Sequence, residues 1–241
     1  TEEEMQAVTD NLIFAQDRCQ NELGAEFYVL GIPNKEMVYA EYMPDNVVKI
    51  ADTTRGAQLQ KYVSDHSDII YVYPLPQMRE AIGLEGEKAD PSVAAPIYYR
   101  TDTHTNIRGA FIAFQALRDA AFGNGESYED HKFFVVSQEY VGDLSALLQM
   151  EDTFGSDTVY AMNWDELDRT VREEKTLLIV GDSFGEMIRN VADAYYTNVV
   201  YLNINEVEIT WDVIRSVEPD IVLWEAGERH ISRLGMARFF Q

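Results

Sequence analysis

Two short clusters in this chain hold the residue types needed for acyl transfer. Asp102-Thr103-His104 pairs a carboxylate with an imidazole, and Gly181-Asp182-Ser183-Phe184 lies about 80 residues further on. Ser183 follows the apolar run Leu177-Leu178-Ile179-Val180 and precedes a helical pattern, which predicts a strand-to-helix turn with the hydroxyl at a strand's carboxyl end. Amides at such a turn stabilise an oxyanion. Serine attacks only when a base takes its proton, and His104 oriented by Asp102 is the expected base and orienter. In an extended segment, positions i and i+2 face the same side, so the carboxylate fixes one ring nitrogen and leaves the other for serine.

Each of these residues also has a structural reading. Ser183 is equally a helix N-cap, His104 a loop histidine satisfied by backbone, and Asp182 a turn residue bonding nearby amides. His230, after the late strand Ile221–Trp224, is the rival base, whereas His66 and His131 sit in polar stretches without a nucleophile nearby. Four residues are candidate substrate contacts: Arg229 to position an ester or sugar, Tyr99 and Trp224 to stack on sugar rings, and Asn203 as a second oxyanion donor. Glu225 is expected to brace Arg229, and Glu228 to form a local ion pair. Tyr98, Tyr195 and Tyr196 read more simply as core or surface aromatics.

The elements that must position these groups follow from pattern. Met5, Val8, Leu12, Ala15, Cys19 and Leu23 recur at helical spacing and predict an N-terminal helix within 1–25, stopped by Gly24. Phe27–Ile32 and Ile69–Tyr73 read as strands and 56–64 as a helix; Gly83–Pro96 reads as an exposed loop. Asn106 is the expected N-cap of a helix carrying Ile107, Phe111, Phe114 and Leu117, and Lys132–Val136 reads as a strand. From Lys175 onward, strands at 177–180, 199–202 and 221–224 alternate with helices at 186–194 and 210–217. That alternation predicts a mainly parallel sheet with helices on both faces, in one domain spanning 1–241.

Bulk composition narrows the function further. The 241 residues carry 19 Lys and Arg against 42 Asp and Glu, a net charge of −23. Such a surface opposes nucleic acid and anionic membranes, both of which need a cationic footprint. Cys19 is the only cysteine, which excludes an intrachain disulfide and leaves the compartment open. No run of about 18 apolar residues predicts a membrane span. The chain opens at Thr1 without methionine, and the expectation is a mature or truncated chain from which a targeting segment has been removed. Phosphate-binding, dinucleotide-binding and zinc-protease motifs are missing, and the scattered histidines predict no metal site; no cofactor is expected.

The same blocks resemble a known family. Tyr99-Arg100-Thr101-Asp102-Thr103-His104-Thr105-Asn106, with Gly109-Ala110, resembles the R-T-D-T-H-W motif of alginate O-acetyltransferase proteins of the AlgJ/AlgX type. Gly181-Asp182-Ser183-Phe184 is similar to their nucleophile block, and Trp224-Glu225 with Glu228-Arg229 to their W-E-x-x-E-R segment. Gly31-Ile32-Pro33-Asn34-Lys35, with Val38-Tyr39, Glu41 and Met43-Pro44, resembles their P-x-K-x-x-x-Y-x-E stretch. The resemblance runs in order from about residue 26 to 235. It implies an SGNH-hydrolase-like three-layer α/β/α fold in permuted order, with aspartate and histidine preceding serine.

The resemblance also assigns roles: nucleophile to Ser183, base to His104 and orienter to Asp102. It implies an exported protein at the outer face of the cell envelope that acetylates an exopolysaccharide. The acetyl donor would be relayed by an integral-membrane O-acyltransferase. Thr105 stands where the family has an aromatic residue, and because the chain ends soon after the late motif, no appended carbohydrate-binding module is expected. The residues by themselves leave an acetylesterase and a non-catalytic polysaccharide-binding subunit as alternatives.

Overall fold

A computed structural model describes residues 1–48, 50–83, 96–167 and 172–235. Its centre is a five-stranded sheet in the order β2-β1-β7-β5-β6, all neighbours parallel. The strands are β1 (Glu26–Ile32), β2 (Tyr71–Val72), β5 (Glu173–Gly181), β6 (Tyr196–Asn203) and β7 (Ile221–Gly227). Because all five run the same way, their carboxyl ends share one edge, where ligands of open parallel sheets gather.

Side chains alternate through the sheet with a period of two, and the two sets build two cores. Leu30, Ile32, Leu177, Ile179, Ile221 and Leu223 face one side, with α5 (Ile107–Phe122) and α8 (Gly185–Ala192). Phe27, Val29, Leu178, Val180, Val222 and Trp224 face the other, with α1 (Glu2–Arg18) and α3 (Arg55–His66). Central strands buried on both faces explain why their sequences read as continuous apolar runs. The result is the three-layer α/β/α arrangement with a mainly parallel sheet.

Local signals account for most element ends. A π-helical turn over Cys19–Leu23 extends α1, and Gly24, at φ 69°, ends it. Asn106 caps α5, its Oδ1 accepting from the amides of Arg108 (3.0 Å) and Gly109 (3.3 Å). The strand expected at 69–73 shortens to β2, and α4 (Leu75–Ala81) begins directly after Pro74, with Pro76 in its first turn.

A two-stranded antiparallel hairpin, β3 (Phe133–Tyr140) with β4 (Asp157–Met162), lies outside the main sheet. The short helices α2 (Lys35–Val38), α6 (Asp143–Leu148), α7 (Glu151–Phe154) and α9 (Trp211–Ser216) complete the set. The exposed loop expected at 83–96 falls, apart from its ends, outside the described residues. Among the described residues, no helix is long and apolar enough to cross a membrane. Cys19 is buried, and burial pushes its thiol up to about 12, so it is not a nucleophile.

Candidate active site

Three elements meet at the carboxyl edge of the sheet. Ser183 sits between β5 and α8, partly exposed, on the turn its sequence predicted. Asp102 and His104 sit on a loop before α5, clinched at its base by an antiparallel bridge between Tyr98 and Thr105. Ser183 Oγ donates to His104 Nε2 at 2.7 Å, and His104 Nδ1 donates to Asp102 Oδ1 at 2.6 Å. The three side chains thus form one unbroken proton path. The His104 ring packs on Phe184, with centroids 4.8 Å apart.

Asp102 is buried and fully engaged. Oδ1 also accepts from the His104 amide at 2.9 Å, while Oδ2 accepts from the Tyr140 hydroxyl and, at 3.3 Å, from the Asp143 amide. Burial by itself would raise this carboxyl; the hydrogen bonds from His104 and Tyr140 outweigh it and hold the group well below the usual carboxylate range.

The loop that carries Asp102 is braced from three directions. Lys35, at the start of α2, donates to the carbonyls of Tyr99 (2.8 Å), Arg100 (2.8 Å) and Asp102 (3.1 Å), using all three ammonium protons. Burial lowers the Lys35 ammonium below the ordinary lysine value. Asp157 of β4 accepts from the amides of Arg100 (2.7 Å) and Thr101 (2.8 Å), and from the Thr101 hydroxyl at 2.5 Å. Asp143 of α6 holds Thr103 through its amide (2.9 Å) and hydroxyl (2.8 Å). Gly142 lets α6 approach this closely, since a Cβ there would lie 2.4 Å from the Asp102 Cβ.

Asp102, His104 and Asp143 place potential ligand atoms within 4.8 Å of one another, a convergence the sequence did not reveal. Each group is already committed to the bonds above, so hydrogen bonding accounts for the cluster without an ion. Among the described residues, the backbone N–H of Ser183 has no acceptor, which leaves it available to an oxyanion.

The remaining candidates distribute unevenly. Arg229 is exposed, its guanidinium 5.1 Å from the Phe184 ring centroid and without an ion pair among the described residues. It therefore flanks the triad. Tyr99 is buried and packs on Tyr140, with centroids 4.4 Å apart, so it supports the loop that carries Asp102. Asn203 lies at the right edge, paired in register with Gly181, but its amide donates to Glu206 at 2.8 Å and its oxygen accepts from the Asn205 amide. One of the two protons of the expected oxyanion donor is thus used within its own loop.

Trp224 corrects the expectation more sharply. It is 2 % exposed in the core shared with α1 and α3, because alternation along β7 points it away from α5 and α8, so it cannot stack on a sugar. Glu225 does not brace Arg229, since neither of its oxygens has a hydrogen-bond partner among the described residues. Nor does Glu228 form the local ion pair expected of it. It is buried and accepts from the amides of Asn34 (3.1 Å) and Gly56 (3.0 Å) and from the Tyr73 hydroxyl (2.8 Å), joining the end of β7 to α2 and α3.

His230, the rival base, donates through Nδ1 to Asp182 Oδ2 at 2.7 Å. Asp182 also accepts from the amides of Phe184 (3.1 Å) and Gly227 (3.1 Å), the turn-holding role its position predicted. Ser183 Oγ donates its hydrogen bond to His104 and not to His230. His66 and His131 are exposed, as expected. Thr105 is buried and packs toward α5 at Gly109.

Comparison with solved structures turns this arrangement into a fold assignment. The O-acetyltransferase domain of Pseudomonas putida AlgJ superimposes with a TM-score of 0.64 at 19 % identity, over 96 % of this chain and 86 % of that one. The chain shares the fold of AlgJ. Bacillus cereus PatB1 superimposes with a TM-score of 0.63 at 13 % identity, over 100 % of this chain and 93 % of that chain. A DHHW family protein from Eubacterium siraeum gives 0.65 at 13 % identity, over 95 % and 88 %. No protein-family model and no curated protein matches the sequence. The likeness lies in the fold and agrees with the SGNH-like architecture implied by the sequence blocks.

Proposed function

We propose that this chain is a serine-dependent O-acetyltransferase that acetylates an extracellular polysaccharide through an acetyl-serine intermediate. The observation that carries the reading is the continuous path from Asp102 through His104 to Ser183, with bonds of 2.6 and 2.7 Å. The fold shared with the AlgJ O-acetyltransferase domain supports transfer over hydrolysis.

In the first step His104 Nε2 takes the Ser183 proton while Oγ attacks the acetyl carbonyl. The Ser183 amide receives the developing oxyanion. Collapse breaks the bond to the leaving group, which takes the proton from His104 and leaves acetyl-Ser183. A sugar hydroxyl then gives its proton to His104 and attacks the acetyl carbon; Oγ departs and regains the proton. Throughout, ionised Asp102 holds Nδ1–H and stabilises the transient imidazolium.

The partners belong to the same proposal: a polysaccharide acceptor, and an acetyl group relayed by an integral-membrane O-acyltransferase to a protein at the outer face of the cell envelope. Exposed Arg229 beside Phe184 is the side chain placed to contact donor or acceptor.

The test is acetyl release from a chromogenic acetyl ester by wild type and Ser183→Ala, with and without neutral or cationic oligosaccharides. Acetylated sugar formed only with Ser183 present is the expected result. Serine-dependent release of free acetate alone, across all acceptors, would make the chain an esterase. Equal rates for wild type and variant would remove the acyl-serine mechanism and leave a polysaccharide-binding subunit.

A further inference from the structure

Beneath the nucleophile turn lies a carboxyl that acyl transfer, as described above, does not use. Glu225 is fully buried on β7, one residue past the Val180–Trp224 register pair, on the α5 and α8 side of the sheet. A Cβ on Gly181 would lie 2.4 Å from Glu225 Oε2, so the carboxyl occupies the space that this glycine leaves under Ser183. Neither carboxyl oxygen has a hydrogen-bond partner among the described residues.

The groups facing Glu225 explain its state. Asp182, from the turn after β5, is also fully buried, but it accepts from Phe184, Gly227 and His230. Two adjacent buried carboxyls cannot both ionise cheaply, and the one with donors keeps the charge. Asp182 has three donors and Glu225 has none, so Glu225 is the carboxyl whose charged form this space disfavours. Burial first, then the Asp182 charge, raises Glu225 well above the usual carboxylate range; the amides of Asp182 and Gly185 and the Arg229 guanidinium pull weakly the other way. Tyr201, from β6, faces the same pair and donates to the Asp182 carbonyl.

We infer that Glu225 is a positioning residue for the proposed acyl transfer: as an uncharged acid behind the nucleophile turn it leaves the charge growing on the acyl oxygen unopposed, and as an anion it repels that charge and arrests the reaction. The inference rests on Ser183 being the nucleophile. A negative charge in this dry space opposes a second one growing on the oxyanion across the turn. The chain thereby carries an alkaline off-switch that is separate from the protonation of His104.

The experiment is the pH profile of kcat and kcat/KM on a chromogenic acetyl ester, from about pH 6 to about pH 10, for wild type, Glu225→Gln and Glu225→Met, with Ser183→Ala as blank. Wild type is expected to reach a plateau and then lose kcat by about tenfold per pH unit on the alkaline side, the slope of one proton. The two uncharged variants are expected to lack that fall. Wild type without an alkaline fall, or variants that follow it, would overturn the inference while an inactive Ser183→Ala leaves the nucleophile standing. An active Ser183→Ala would instead sink the acyl-serine reading itself.

Urea unfolding gives a second readout for the same variants. A folded-state carboxyl raised above its unfolded value contributes stability that is complete below about pH 4 and declines as pH rises toward the folded value. Wild type should therefore lose stability toward alkaline pH relative to Glu225→Met. Parallel stability curves would show that Glu225 does not hold its proton in the folded state and would overturn the inference.

Discussion

Asp102 receives four hydrogen bonds on two oxygens, from the His104 ring and amide, the Tyr140 hydroxyl and the Asp143 amide. A carboxyl so supplied stays ionised even in acid, and its charge keeps Nδ1–H fixed and Nε2 ready for serine. Asp102→Asn should lower kcat by about 10⁴-fold, the size seen when the aspartate of a serine-protease triad loses its charge. It should also change the acid side of stability. A folded carboxyl held below its unfolded value contributes stability present above about pH 4 and lost as pH falls through the folded value. Unfolding followed from about pH 6 downward should thus be less steep in the variant. Tyr140→Phe removes one donor, and its loss should appear mainly in kcat, by about tenfold, if Tyr140 holds Asp102 and does not bind substrate.

At the scale of elements, the triad depends on parts that contribute no reacting atom. Gly142→Ala pushes a methyl into Asp102 and the Thr101 carbonyl, and should cost about 1–3 kcal/mol of stability with a larger proportional loss of kcat. Lys35→Met strips donors from three carbonyls of the Asp102 loop and should cost about 1–3 kcal/mol, measurable by urea unfolding, with activity lost before the fold.

Legibility differed between these two levels for physical reasons. Asp102, His104 and Ser183 were readable because two local motifs carry them, and β5, α8 and β7 because continuous apolar runs alternate with helical spacing. Tyr140, Asp143 and Asp157 were not, since β3 is largely exposed and lacks alternation, and the contacts they make with the Asp102 loop are remote in sequence. Lys35 entered only through the family resemblance, because three backbone carbonyls leave no trace in sequence. Trp224 was misread because proximity to the right strand end does not fix the direction of a side chain.

For the whole molecule, the two cores on either side of the sheet divide stability from chemistry. Trp224 belongs to the core with α1 and α3, opposite to Glu225 and α8. Trp224→Ala should cost about 3–5 kcal/mol in unfolding experiments while the folded variant keeps the wild-type KM for acceptor. A raised KM would return Trp224 to the substrate surface.

β7, the last strand among the described residues, docks against β1, the first, in register from Glu26–Ile221 to Ile32–Gly227. The sheet therefore has no complete centre until β7 has been made. Ser183 and His104 meet only across that closed sheet. Turnover under the proposed function is consequently a sensor of sheet closure: as denaturant is raised, activity should vanish before circular dichroism registers loss of helix.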